Sequence, residues 1–87
     1  MHMNLSKTIR LLRDYHGYSQ EYMAARLGVS QTTYCRIESD VENTKLKYLI
    51  RVCDILNIRI RDLFILSNRP PEDMFEVIDD MDVNRAK

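Results

Sequence analysis

The sequence has little of several things, and each shortage excludes something. Among 87 residues there are only two glycines and two prolines, too few for a collagen-like or low-complexity disordered chain. Tryptophan is absent, and the two cysteines, Cys35 and Cys53, stand eighteen positions apart with no Cys-x-x-Cys and no histidine pair nearby, so no metal site is expected. No alternating apolar and polar run is long enough for a convincing strand. No stretch approaches the roughly 20 apolar residues that cross a bilayer. The opening Met-His-Met-Asn has neither a charged region nor an apolar core, which argues against a secretory signal and for a cytoplasmic protein. A glycine-rich phosphate loop and a nucleophile–base pair are both missing, so neither an enzyme nor a cofactor is expected.

What is present suits one small helical domain. Apolar residues make up 45 % of the chain, enough for a single core at this length. The formal net charge is zero, but it is unevenly placed. Residues 1–69 carry eleven Lys/Arg against seven Asp/Glu, whereas residues 70–87 carry two against six. A mildly basic domain followed by an acidic tail is the better description.

The most informative stretch is Ser19 to Ser39. Ser19 can cap a helix whose inward stripe is Met23, Ala24 and Leu27. Gly28 then supplies the left-handed stop that a side chain would strain. Val29 pins the turn, and Ser30 caps a second helix with Tyr34 and Ile37 inward. Two helices joined by about three residues cross closely, which calls for a residue as small as Ala24 at the crossing. This is the helix-turn-helix pattern of a DNA reader. The second helix turns Gln31, Thr32, Cys35 and Arg36 away from its buried pair. Gln suits adenine N6/N7, Arg suits guanine O6/N7, and the Thr methyl packs on thymine, so Gln31, Thr32 and Arg36 are candidates for reading base edges in a major groove. Cys35 reads as an ordinary outward residue and Cys53 as a small core residue.

From Ile9 to Phe64 the chain resembles the Cro/phage-repressor (XRE-like) helix-turn-helix family. Ile9-Arg10-Leu11-Leu12-Arg13 resembles its first helix, Ser19-Gln20-Glu21 the opening of its second, and Leu27-Gly28-Val29-Ser30 its turn. Arg36-Ile37-Glu38 resembles the end of its recognition helix, and Ile58 to Phe64 its closing helix. The resemblance implies an all-α fold, a five-helix Cro/repressor-like domain, which the residue pattern bounds at 1–69 and follows with a C-terminal amphipathic helical tail over residues 70–87. It also implies double-stranded DNA as the partner, with Gln20, Ser30, Lys45 and Arg13 at the DNA backbone and Gln20 bracing Gln31. Arg13 and Glu38 would form the ion pair that orients the recognition helix. The function implied is sequence-specific transcriptional regulation, as a repressor and a homodimer on a palindromic operator. The same fold also serves as an antitoxin or another protein-interaction module.

Five positions depart from the family pattern. Asp40 replaces the glycine after the recognition helix, where an Asp tolerates the left-handed region. Glu42 adds negative charge to the loop that skirts DNA, with Lys45 and Lys47 to offset it. Thr44-Lys45 replaces Pro-Ser, leaving Thr44 as the expected cap of a helix from about Lys45 to Leu56, whose apolar side is Leu46, Leu49, Ile50, Cys53 and Leu56. Arg59 replaces a Ser/Thr cap. Few basic residues near the interface predict weak monomer binding, so that useful affinity needs two half-sites about one helical turn apart.

The first helix is expected from about Leu5 to Tyr15 with Ile9 and Leu12 inward, turned by His16-Gly17 and followed by Tyr18 as a staple. A closing helix carries Ile58, Ile60, Leu63 and Phe64 into the core. Pro70-Pro71 then breaks the chain. Beyond it Met74, Val77, Ile78 and Met81 recur at helical spacing with Phe75 beside them, an apolar stripe that needs a partner. Pairing with the same tail of a second subunit is the expected arrangement, ahead of folding back on its own domain and of contact with another protein.

Overall fold

The computed structural model describes residues 4–68. Five α-helices follow one another: α1 Leu5–His16, α2 Gln20–Leu27, α3 Gln31–Ser39, α4 Leu46–Ile55 and α5 Ile60–Ser67, with a single 3₁₀ turn at Val41–Asn43 between α3 and α4. Among the described residues there is no strand. The tail stripe at Met74, Phe75, Val77, Ile78 and Met81 lies outside the described residues.

The first three helices begin where a side-chain acceptor reaches a free backbone N–H. Asn4 Oδ1 accepts from Lys7 N at 3.1 Å, Ser19 Oγ from Tyr22 N at 2.9 Å and Ser30 Oγ from Thr33 N at 3.1 Å. The first two end on left-handed glycines, Gly17 at φ 75° and Gly28 at φ 79°, and the N–H that follows Gly28 closes back on Ala24 O at 3.0 Å. Asn57 does the same for α4 at φ 62°, with Ile58 N reaching Cys53 O at 3.0 Å. Asn is a residue that accepts this conformation without glycine.

Ile9, Leu12, Met23, Leu27, Tyr34, Val52, Leu56, Leu63 and Leu66 fill one core. Helix α2 packs chiefly on α3, α1 on α5, and α4 bridges α2 and α5. Ala24 is buried on α2, the helix that packs most closely on α3, and a side chain this small suits a close crossing.

The second half of the domain corrects several expectations. On α4 the inward residues are Leu49, Val52, Cys53 and Leu56, while Leu46 and Ile50 are exposed. Phe64 is also exposed on α5, where Leu66 takes its place in the core and Ile60 is only half-buried. Asp40 is not left-handed: its φ is −143°, and its carboxylate accepts two hydrogen bonds from Asn43 Nδ2 at 3.0 and 3.1 Å. Thr44 does not cap α4. Its hydroxyl donates back to Asp40 O at 3.1 Å and so finishes α3, while Lys45 opens α4 without a side-chain cap. Asp62 takes over part of the capping at Arg59, its Oδ2 accepting from Arg59 N at 3.4 Å.

Candidate nucleic-acid interface

Helix α3 has two faces of different chemistry. Its inner face carries Tyr34, Ile37 and Glu38, all buried. A buried carboxylate is costly unless it is paired and hydrogen-bonded. Arg13 on α1 meets that need with two parallel bonds to Glu38, Nε to Oε1 at 2.9 Å and Nη2 to Oε2 at 3.1 Å. Its remaining nitrogen, Nη1, donates to Tyr18 O at 2.9 Å, so one guanidinium ties α1, α3 and the entry to α2 together. Arg10 adds a second cation, Nε to Glu38 Oε2 at 3.5 Å. Burial pushes the Glu38 carboxyl up, but the bonds from Arg13, the nearby Tyr34 hydroxyl and the charges of Arg13 and Arg10 outweigh it and hold the group below the ordinary carboxylate value. The Tyr34 hydroxyl is buried close by without hydrogen-bond geometry to any described residue. Its ionisation is pushed up by burial first and then by the Glu38 carboxylate.

The outer face is open. Gln31, Thr32 and Arg36 are exposed, and among the described residues none of their side chains has a hydrogen-bond partner. Their donors and acceptors are therefore free for a ligand. Arg36 shares an open groove of about 380 Å³ with Lys45, Tyr48, Ile37 and Thr44, so the expected base reader and the expected phosphate contact border one surface. Asp40 lines the same groove, but its carboxylate is held by Asn43.

Three of the expected site roles change. Arg13 is assigned to the DNA backbone as well as to the ion pair, but its side chain is only 13 % exposed and each of its three nitrogens already donates within the fold, so the ion pair takes most of its capacity. Gln20 does not brace Gln31. Its Oε1 accepts from the Cys35 thiol at 3.2 Å, and among the described residues the amide nitrogen has no partner. Cys35 is accordingly half-buried against α2 rather than an outward residue. Ser30 uses its hydroxyl on Thr33, both at N and, at 2.9 Å, at Oγ1. Two contributors were missed: Arg10, one turn before Arg13, and Tyr34 as a polar rather than only an apolar neighbour of Glu38. The i, i+3 spacing of the two arginines and the i, i+4 spacing of Tyr34 and Glu38 are the signals that carry them.

Among the described residues no group of His, Cys, Asp or Glu is arranged to hold a metal, and no helix is long and apolar enough to cross a membrane. Cys53 is buried in the core, and burial, aided by the charges of Asp54 and Asp62, pushes its thiol up to about 11, well above reactive values.

Comparison with known proteins places these features. A helix-turn-helix family model matches residues 9–63. An uncharacterised HTH-type transcriptional regulator of Archaeoglobus fulgidus is 33 % identical over 60 residues, covering 69 % of this chain and 86 % of the relative. Another, from Methanocaldococcus jannaschii, is 30 % identical over 64 residues, covering 74 % of this chain and 97 % of the relative. No solved structure matches the chain significantly.

Proposed function

Because the chain belongs to the XRE-like helix-turn-helix family of transcriptional regulators, we propose that it reads a specific operator with the outer face of α3, acting in the cytoplasm as a homodimeric repressor. The observation that carries this reading is the division of α3: three exposed side chains suited to base edges stand opposite a buried Arg13–Glu38 pair that fixes their pose. Gln31 and Thr32 lie in the first turn of the helix and Arg36 a turn further on, the spacing at which side chains of one helix reach successive bases. Lys45 and the amide nitrogen of Gln20 supply phosphate contacts, and Ser30 fixes the start of the helix between them. Binding by one domain is weak, since Asp40 and Glu42 stand near the backbone path. A palindromic site with two half-sites about one turn apart, near 34 Å, supplies the missing affinity. Repression follows from occupancy, since a domain seated in the major groove covers its site.

A second reading, a protein-interaction or antitoxin module, is supported by the acidic residues beside α3 and by apolar side chains left exposed on α4 and α5. Selection of bound sequences from a random duplex library at near-physiological salt separates the two. Enrichment of a two-fold symmetric site supports the operator reader and gives its half-site spacing. A folded protein that enriches no sequence removes the operator reading and leaves the interaction module.

A further inference from the structure

Four of the five large hydrophobic side chains exposed among the described residues lie on α4 and α5, two helices that pack together: Leu46 (61 %), Ile50 (44 %), Phe64 (38 %) and Ile65 (44 %). Exposed single apolar residues are ordinary, but their confinement to one pair of adjacent helices marks an interaction surface. The same two helices and the residue that opens α5 present the cations Lys47, Arg59 and Arg61, the last 4.0 Å from Asp62, against an exposed Asp54, while Arg51 is turned to α2, its Nη2 donating to Arg26 O at 3.3 Å. The occupant that fits both properties is written in the chain itself. Residues 70–87 carry six acidic residues, and Met74, Val77, Ile78 and Met81 form one stripe. As a helix that stripe spans about 10 Å, within the length of α4, about 15 Å for ten residues.

The linker decides which copy of the surface it reaches. Helix α5 ends at Ser67, two residues past Ile65. The next four residues are Asn-Arg-Pro-Pro, in which each proline favours an extended residue before it and Pro71 disfavours a tight turn. Asn68 caps α5, so only Arg69, Pro70 and Pro71 separate the helix end from the segment, a reach of at most about 10 Å, which leaves little chain for a return to the surface of its own domain. A second copy requires no reversal. We propose that residues 72–82 of one subunit dock on the α4–α5 surface of a second, each copy giving a segment and receiving one. This rests on the homodimer of the proposed function and names the surface that makes it. The exchange is isologous, so it supplies the two-fold axis that a palindromic site requires.

The test uses the full chain with Cys35→Ser, leaving Cys53 buried. Chains carrying Ile50→Cys are mixed with chains carrying Val77→Cys, oxidised with a diamide, and the linked peptides are identified by mass spectrometry. A disulfide between position 50 of one chain and position 77 of the other, at twice the monomer mass, is expected. Predominant 77–77 links mean that the two segments pair with each other, and a 50–77 link within one doubly substituted monomer means that the segment returns to its own domain. Either overturns the proposal. In sedimentation, Ile50→Arg weakens the wild-type dimer at least about tenfold, and Val77→Asp in the same chain restores part of the loss. A dimer indifferent to Ile50→Arg overturns the docking but leaves the homodimer standing. A monomeric wild type that enriches only an asymmetric DNA site removes the homodimer as well. Because Ile50 is already exposed, an unchanged melting temperature for Ile50→Arg separates lost docking from lost folding.

Discussion

The two faces of α3 are made from nine consecutive residues, yet they do opposite things with charge. On the inner face Glu38 is buried, and Arg13 fills both of its oxygens while Arg10 approaches from the same helix. On the outer face Gln31, Thr32 and Arg36 are exposed, and among the described residues their side-chain polar groups have no partner. Charge that is satisfied within the fold fixes geometry, and charge left unsatisfied at the surface is available for recognition. The two should therefore separate by experiment: damage to the inner face appears as lost stability, and damage to the outer face as lost discrimination at unchanged stability.

The largest effect is expected from Glu38→Ala. Removing one partner of a buried pair leaves Arg13 uncompensated, which costs about 3 kcal/mol and lowers the melting temperature by more than about 10 °C for a domain of this size. Thermal denaturation followed by circular dichroism reads it. A loss under about 1 kcal/mol would show that the pair orients α3 without holding the fold together. The same group sets an acid limit. Its carboxyl value is lowered in the folded state, so its contribution is complete above the ordinary carboxylate value of about 4.3 and is lost as pH falls toward the lower folded value. Urea denaturation of the wild type and Glu38→Gln from pH 7 to pH 3 should show the two curves converging only at the acid end. Parallel curves would mean that Glu38 does not carry the linkage.

Ala24→Leu comes next, and it links the two faces. Ala24 is buried on α2, the helix that packs most closely on α3, and added methylenes at a close crossing cost about 1–3 kcal/mol. The variant should also lose DNA affinity when folded, because it moves α3 relative to α2. A stable, fully binding Ala24→Leu would show that the crossing has slack.

On the outer face, Arg36→Ala should change stability by less than about 0.5 kcal/mol and relax preference at one base position by about 1–3 kcal/mol. Lys45→Ala should weaken all sequences alike and lower the salt slope by about one. Titration of both variants against the selected site and its single-base substitutions, at several salt concentrations, reads both quantities. The same uniform loss from both would remove Arg36 from base reading.

How much of this was legible before the structure follows from the same division. The stretch from Ser19 to Ile37 was readable because each position has a single tolerable role: Ser19 and Ser30 cap, Gly28 turns left-handed, and Ala24 is small where helices cross. Helix α4 was not, because Leu46, Leu49, Ile50, Val52, Cys53, Ile55 and Leu56 are all apolar. Lys47, Arg51 and Asp54 hold one narrow polar face, and the apolar arc left over is wider than the face the core covers, so Val52 was passed over and Leu46 and Ile50 were placed inside. The Cys35–Gln20 contact was hidden for another reason. It joins residues fifteen apart across the α2–α3 crossing, and a thiol that faces a neighbouring helix reads in sequence like one that faces solvent.

The segment after α3 allows the finest test. Without a glycine at position 40 the helix must still satisfy its last carbonyls, and Thr44 does part of that work through its hydroxyl on Asp40 O. Thr44→Val keeps the shape and removes one donor, and Asp40 O at the exposed end of α3 keeps the Asn43 N–H at 3.2 Å and can also turn to water. The expected loss is therefore at the low end for a hydrogen bond, about 0.5–1 kcal/mol, resolvable as a lower urea midpoint with an unchanged slope. If Thr44 were instead the cap of α4, Thr44→Asp would be stabilising, since Asp is as good a cap and adds a favourable charge at a helix start. With the hydroxyl turned back to α3, Thr44→Asp brings a third carboxylate beside Asp40 and Glu42 and loses stability with Thr44→Val. The sign of that second variant decides which helix the residue serves.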